Sequence, residues 1–214
     1  MSWEIFLALL AFSFVASATP GPNTLMLLAS GVNFGLARTV PHIIGIAFGF
    51  GSLLLATGFG VGQLLEASPR LHLVMKVASA AYLIWLAWKI GSARAIGSRE
   101  SGGQPLTVLQ AASFQWVNPK AWAVGVSAMS LYTNPENYTI SALLVVAAFM
   151  LVLTPSALLW CGMGASFRGY LADPVRLKWF NISMGVILVL SLWPMLRLEG
   201  ALGAVGGMFG LAEV

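Results

Sequence analysis

Four long runs without a charged residue constrain this chain more than any other feature. They extend from Ile5 to Ala37, Thr39 to Leu65, Asn137 to Phe167 and Trp179 to Leu196. About 20 apolar residues in an α-helix cross the hydrocarbon core of a bilayer, and each run approaches or exceeds that length. Only 8% of all residues are charged, whereas a globular domain uses about 25% to cover its surface. The sequence therefore predicts an all-α integral membrane protein in a lipid bilayer.

The apolar segments predict six transmembrane helices within one transmembrane domain over residues 1–214. Their approximate limits are 4–35, 40–65, 71–91, 106–131, 139–163 and 176–197. A polar, glycine-rich connection separates the third span from the fourth, and the tail 198–214 is left unassigned.

Lysine and arginine are unevenly divided between the two sides of this arrangement. The side with the connections 1–2, 3–4 and 5–6 holds Arg38, Lys89, Arg94, Arg99, Arg168, Arg176 and Lys178. The other side holds Arg70, Lys76 and Arg197. Because cytoplasmic connections are enriched in basic residues, we expect the first side to be cytoplasmic and both termini to lie outside. The net charge of +4 thus indicates orientation, and no nucleic-acid partner is expected.

Helix breakers stand inside two of the predicted spans, and the two sites are related. The first span contains "ATPGPNTL", which begins at Ala18, and the fourth contains "VNPKAWAV", which begins at Val117. Further on, "EASPRL" at 66–71 resembles "LADPVRL" at 171–177. Each half therefore has a broken span, a whole span, a Pro-Arg connection and a third span.

This pattern predicts two inverted three-helix repeats, with broken first and fourth helices. Repeat one covers about 4–91 and repeat two about 106–197. Since each repeat has three spans, the second copy must cross the membrane in the opposite sense. Inverted repeats of this kind commonly place a binding site near the bilayer midplane, where helices are interrupted.

The chemistry of such breaks matches an amino acid. A helix that restarts after a break has unpaired N–H groups and a positive dipole end, which attract a carboxylate. The carbonyls left by the preceding half-helix attract an ammonium group. Lys120, beside the second break, can pair with a substrate carboxylate, or alternatively extend its stem to the lipid headgroups. A simple kink is the alternative interpretation of the prolines.

Other features indicate packing rather than chemistry. Glycines spaced four apart, such as Gly45 and Gly49, favour close helix packing inside the bundle, with a homodimer interface as the alternative. Cys161 is the single cysteine, so a disulfide within the chain is excluded. His42 and His72 have no acidic or thiol neighbours that would suggest a metal site. We expect no cofactor, no metal and no catalytic residue.

The combination of "TPGPNTLM", "GIAFGFGSLLLATGFGVG", "KVASAAYLIWLAWK" and "NPKAW" resembles the LysE/RhtB family of amino-acid exporters, over roughly residues 4–197. The resemblance implies export of amino acids or close derivatives across a bacterial inner membrane, driven by an ion gradient. It also implies a substrate-binding role for Thr19, Pro20, Gly21, Pro22, Asn23, Asn118, Pro119 and Lys120.

The spans contain no acidic residue away from their ends, which favours a neutral amino acid over a dibasic one. Protons are one candidate coupling ion, carried by Lys120, His42 or the substrate, and exchange is another mode. Two other classes stay open from the residues alone. One is a membrane-embedded enzyme, which would need a nucleophile and a base. The other is a non-transporting membrane subunit.

Overall fold

The computed structural model of the chain describes residues 1–62, 68–94, 96 and 104–193. This part of the chain is helical and contains no β-strand. The α-helices that lie wholly within it are α1 (Trp3–Ala18), α2 (Pro22–Phe34), α3 (Leu36–Gly58), α4 (Pro69–Gly91), α5 (Val108–Val117), α6 (Pro119–Tyr132), α7 (Tyr138–Ser166) and α8 (Pro174–Leu190).

Several predictions fall outside the described residues. These are the end of the second predicted span at 63–65, part of the connection between the third and fourth spans, the sixth span beyond residue 193, and the tail 198–214.

Three helical segments are long and apolar enough to cross a membrane. They are Leu36–Gly58, Leu73–Gly91 and Pro135–Ser166. Helices α1 and α2, bent by 58° at their junction, form a fourth if the pair counts as one broken span. The described part of the chain is therefore an all-helical protein with three or four candidate spans. The count of six and the inverted repeat stay predictions.

Both predicted breaks are helix boundaries in the structure. Helix α1 ends at Ala18 and α2 begins at Pro22, whereas α5 ends at Val117 and α6 begins at Pro119. A proline is tolerated at the first position of a helix because its missing N–H would be unpaired there anyway, and its φ is already helical. These prolines also favour the end of the preceding helix, because each lacks the N–H donor of a helical hydrogen bond and its ring crowds the previous turn.

Glycine lets the helices of the two halves touch backbone to backbone. A Cβ atom at Gly31 of α2 would collide with the carbonyl oxygen of Cys161 in α7, and one at Gly164 would collide with that of Leu28. A Cβ atom at Gly45 or Gly49 of α3 would likewise collide with backbone atoms of α5. The expectation of internal packing is confirmed for these glycines, and α2 and α3 are thereby each fixed against a helix of the other half.

Candidate functional site

The two helix breaks lie side by side, although 99 residues separate their prolines. The Lys120 ammonium, next to the second break, donates a hydrogen bond of 3.0 Å to the carbonyl oxygen of Thr19 at the first. Asn23 and Gln115 join the same two regions through their side-chain amides. Asn23 Nδ2 donates to Gln115 Oε1 at 2.8 Å, and Gln115 Nε2 donates back to Asn23 Oδ1 at 3.1 Å.

The carbonyls at the end of α1 show what the two prolines do. In a continuous helix, residues 20–23 would donate to the carbonyls of residues 16–19, but Pro20 and Pro22 have no N–H. The Ser17 carbonyl accepts from Ser156 Oγ at 3.2 Å instead, while that of Thr19 accepts from Lys120. Among the described residues, the carbonyls of Ala16 and Ala18 have no donor. These are the two acceptors that the prolines leave unpaired.

The start of α2 has the complementary excess of donors. The Gly21 N–H donates to Thr24 Oγ1 at 2.8 Å, and Leu25 N–H donates to the Gly21 carbonyl at 3.0 Å. Within the described part of the chain, the backbone N–H groups of Asn23 and Thr24 have no acceptor. Two amides at a positive helix end therefore remain for an anion.

The second break differs from the first because it is capped by its own residue. The Asn118 side-chain oxygen accepts from the Lys120 N–H at 3.1 Å, and the Asn118 carbonyl accepts from the Ala121 N–H at 3.0 Å. The amides at the start of α6 are thus satisfied locally. This break contributes the Lys120 side chain to the site rather than backbone donors.

A partly open pocket, whose empty space of about 600 Å³ includes its open mouth, lies between the breaks. Its lining includes Ala16, Ser17, Gly21, Pro22, Asn23, Thr24, Gln115, Asn118, Lys120 and Ser156, with an apolar remainder that includes Leu27, Phe50, Phe149 and Trp160. Lys120 is the one ionisable side chain among the described residues that line it. A pocket with few convergent polar groups on apolar walls is typical of a small-molecule site.

Five of the eight predicted site residues line this pocket: Gly21, Pro22, Asn23, Asn118 and Lys120. Thr19 and Pro20 are exposed and do not belong to its described lining, so Thr19 contributes only the carbonyl that Lys120 binds. Pro119 is half-buried and also outside that lining.

Glycine at position 21 lets Lys120 come close to the first break. A Cβ atom there would lie 3.2 Å from Lys120 Nζ and 3.4 Å from Lys120 Cδ. That separation is tight for any side chain, so a larger residue would displace the lysine.

The prediction missed Gln115, Thr24 and Ser156. Gln115 is fully buried, and a polar amide inside a predicted membrane span, close to the predicted break, was the signal that could have identified it. Ser156 follows Pro155, which lies inside the continuous helix α7. No sequence pattern indicated that Ser156 would reach α1.

Comparison with known proteins identifies the family of the chain. The family model described as "LysE type translocator" matches residues 14–191. A cysteine/O-acetylserine efflux protein of Klebsiella pneumoniae is 30% identical over 152 residues, which cover 69% of this chain and 77% of that protein. A protein with the same name from Escherichia coli strain K12 is 27% identical over 193 residues, covering 88% and 96%. No solved structure matches the chain significantly.

The match to the family model covers most of the chain, the described part of which is helical and apolar enough for several membrane spans. A multi-pass membrane transporter, rather than an enzyme, is therefore what the sequence encodes. The chain belongs to the family of LysE type translocators.

Proposed function

We propose that this protein exports a small neutral amino acid, or a close derivative, from the bacterial cytoplasm by alternating access. The observation that carries the proposal is the pocket between the two helix breaks. It combines unpaired backbone donors and a cation with unpaired backbone acceptors. These are the groups needed to hold the α-carboxylate and the α-ammonium that all such substrates share.

The carboxylate is assigned to the start of α2. The free N–H groups of Asn23 and Thr24 and the positive helix end favour an anion there. Lys120 also favours a carboxylate at the start of α2, since its ammonium lies beside Gly21, the residue that precedes this helix. Charge-assisted hydrogen bonds of this kind are stronger than those between neutral groups.

The substrate ammonium is assigned to the end of α1, where the carbonyls of Ala16 and Ala18 lack donors. Ala16 lines the pocket, whereas Ala18 is outside its described lining, so the Ala16 carbonyl is the acceptor to which the ammonium is assigned. Because Ala16 and the first residues of α2 line the same pocket, one amino-acid backbone can bind to both. Carboxylate and ammonium would then replace the helical hydrogen bonds that Pro20 and Pro22 prevent.

The walls of the pocket favour an uncharged side chain. No aspartate or glutamate stands among the described residues that line it, so the second ammonium of a dibasic amino acid would be unpaired. Cysteine and O-acetylserine, which give the relatives their names, both have uncharged side chains. We propose these two as the first substrates to examine.

The packing of the helices supports the proposal of six spans in two inverted repeats. If the halves correspond, α1 to α4 are the counterparts of α5 to α8. Helices α1 and α2 pack on α7, and their counterparts α5 and α6 pack on α3. Likewise α2 contacts α8, and α6 contacts α4. In this arrangement the protein lies in the inner membrane with both termini outside, as the basic residues favour.

Coupling to protons is the proposed energy source, with exchange as the alternative. Lys120, His42 and the substrate are the candidate proton carriers. A proton-motive force imposed on liposomes, directed opposite to the measured amino-acid flux, would accelerate proton-coupled transport. Exchange would instead respond only to amino acid on the opposite side of the membrane.

The test of the proposed function is flux through the purified protein in liposomes. A panel of labelled O-acetylserine, cysteine under reducing conditions, leucine and lysine should show saturable flux, with the small neutral compounds ahead of lysine. Faster flux of lysine would contradict the substrate class. Flux no greater than in protein-free liposomes, for every compound, would contradict the transport function itself.

A further inference from the structure

A second pocket lies beside the C-terminal half of α2. It has a volume of about 480 Å³ and is partly open. Helices α2, α3 and α4 and the residues before α5 line it, with Met26, Ser30, Asn33, His42, Lys89 and Gln104 among them. The breaks contribute nothing to this lining, so the pocket is distinct from the site between them.

The imidazole of His42 has an unmet hydrogen-bonding capacity in this pocket. His42 is 1% exposed, and neither ring nitrogen has a partner among the described residues. Buried polar side chains are nearly always hydrogen-bonded, so an exception requires an explanation. Because the ring lines a cavity, a ligand in that cavity is the natural partner.

The other polar groups of the pocket limit what this ligand can be. Asn33 and Asn181 exchange two hydrogen bonds of 2.8 and 3.2 Å, and Ser30 is bonded to Thr39. Lys89 has a half-buried ammonium that lies 5.4 Å from the centre of the Trp85 ring. No acidic residue stands among the described lining. The side-chain donors left for a ligand are the imidazole N–H, this ammonium and the amide of Gln104, and the ammonium makes an anion the favoured ligand.

One face of α3 connects this pocket with the site between the breaks. His42, Ile46 and Phe50 are spaced four apart and therefore lie along the same face. His42 lines the second pocket, whereas Ile46 and Phe50 line the first. The distance from His42 to Phe50 along the helix is about 12 Å. Ile46, which is 2% exposed, fills the space between them.

We propose that the second pocket is a cytoplasmic subsite that binds the carboxylate of the amino acid before it reaches the site between the breaks. The inference rests on the proposed export function and orientation, which place His42 and Lys89 toward the cytoplasm. Lys89 attracts the carboxylate and the His42 N–H orients it. Ile46 has to move aside before the amino acid passes along α3.

The test measures protection of a thiol at the pocket, because this readout does not depend on transport. Ala93, which lines the pocket, is replaced by Ala93→Cys in a Cys161→Ser protein that also carries Lys120→Gln to disable the other site. The rate of alkylation is measured with O-acetyl-L-serine, and separately with its carboxyl amide. We expect the acid to slow alkylation and the amide to have no effect.

Matched substitutions then test the two donors. Lys89→Gln should raise the concentration needed for protection at least tenfold, since it removes a charge-assisted contact. The control Lys178→Gln removes the same charge from an exposed residue outside the pocket and should leave protection unchanged. His42→Leu should weaken protection, whereas His42→Gln, which keeps an N–H donor, should retain most of it.

Three results with the acid and its amide would overturn the subsite. These are equal protection by acid and amide, no protection by the acid, or equal protection in the Lys89→Gln and Lys178→Gln proteins. Protection by sodium chloride alone would indicate that the pocket binds an inorganic anion rather than a carboxylate, and it would also overturn the subsite. The flux assay is scored separately, so a protein that transports amino acids without this protection disproves the subsite and leaves the export function standing.

Discussion

Lys120 Nζ and the Thr19 carbonyl oxygen, 3.0 Å apart in space, are separated by 101 positions in the chain. This hydrogen bond joins the start of one half-helix to the end of another. It supplies the Thr19 carbonyl with the donor that the Asn23 N–H would have provided in an unbroken helix. The same ammonium lies beside Gly21, the residue that precedes α2, where we propose that a carboxylate binds.

The charge of Lys120 should be essential for binding the carboxylate. In Lys120→Met the stem remains and the charge is lost, so we expect binding to weaken by about 1.5–3 kcal/mol, roughly ten- to a hundredfold. Lys120→Arg should also be impaired, because a planar guanidinium does not replace a compact ammonium beside Gly21. Equilibrium binding of labelled amino acid to each purified variant measures both effects.

The carboxyl amide of the substrate provides the control for this prediction. It should bind wild type more weakly than the acid, and Lys120→Met should narrow that difference. A lysine that only extends to the lipid headgroups makes different predictions. Arginine would then serve as well as lysine, and Lys120→Met would bind acid like wild type.

The break in the first span should be required for transport and not for folding. Replacing Pro20, Gly21 and Pro22 together with alanine restores two N–H donors, so α1 and α2 can form one continuous helix. We expect the variant to insert and to be at least as stable thermally, but to lose flux in liposomes. Pro155→Ala, at a proline inside continuous α7, is the matched control and should transport normally. Normal flux in the triple variant would show that the break is only a kink.

The Asn23–Gln115 amide pair should be energetically coupled. Gln115 is fully buried, so removing its partner with Asn23→Leu leaves polar atoms unpaired and should cost about 1–3 kcal/mol of stability. The double variant Asn23→Leu/Gln115→Leu should cost less than the sum of the single variants by about 0.5–3 kcal/mol. Reversible unfolding in detergent measures these free energies.

For comparison, Asn23→Leu and Asn181→Leu affect different hydrogen-bonded pairs and should be additive. If Asn23→Leu and Gln115→Leu were additive as well, the two amides would not stabilise each other.

Replacement by alanine should change the stability of the protein differently at two glycines of α7. Gly164→Ala places a methyl group against the Leu28 carbonyl of α2, so overpacking should destabilise the protein by about 1–3 kcal/mol. Gly162→Ala meets nothing within 4 Å and should be neutral or slightly stabilising, because alanine is the better helix former. Thermal unfolding of the two purified variants compares them directly. Equal melting temperatures would mean that α2 and α7 are not in close contact.

The proposed orientation can be tested with single cysteines in a Cys161→Ser protein. Ser98→Cys should be protected from an impermeant thiol reagent in intact cells, and Asn134→Cys should react. The reverse pattern would contradict the orientation. Identical labelling at both positions would contradict the number of spans between them.

The helix breaks could be predicted because proline acts on its immediate neighbours. The missing N–H groups of Pro20 and Pro22, and that of Pro119 beside the helix-capping Asn118, weaken the helix locally, and the structure ends α1 and α5 within two residues of Pro20 and Pro119. A single proline, Pro155, leaves α7 continuous. Lys120 could be identified as unusual for the same local reason, as a charge beside a break in an apolar segment. The family followed from the same motifs.

The partners of these residues could not be predicted, because they depend on how the two halves pack. The bond from Lys120 to Thr19 and the pair Asn23–Gln115 need helices from both halves to meet. Asn118 was predicted to bind substrate, as Asn23 was, yet it caps its own helix and leaves no amide of Lys120 or Ala121 for a ligand. Whether the backbone amides at a helix start are capped or stay free for a ligand is decided by three-dimensional surroundings that the sequence pattern does not contain.

That Lys120 is the one ionisable side chain in the described lining of the first pocket has an electrical consequence. A neutral amino acid binds as a zwitterion, so the loaded site has the same net charge as the empty one. The membrane potential does work only on net charge, about 2.3 kcal/mol per elementary charge for each 100 mV crossed. It therefore acts equally on the loaded and the empty protein as the site changes sides. Without a coupled ion, voltage cannot drive net export through such a site, and only the concentration gradient of the amino acid, or the electrochemical gradient of a coupled ion, can give the cycle its direction.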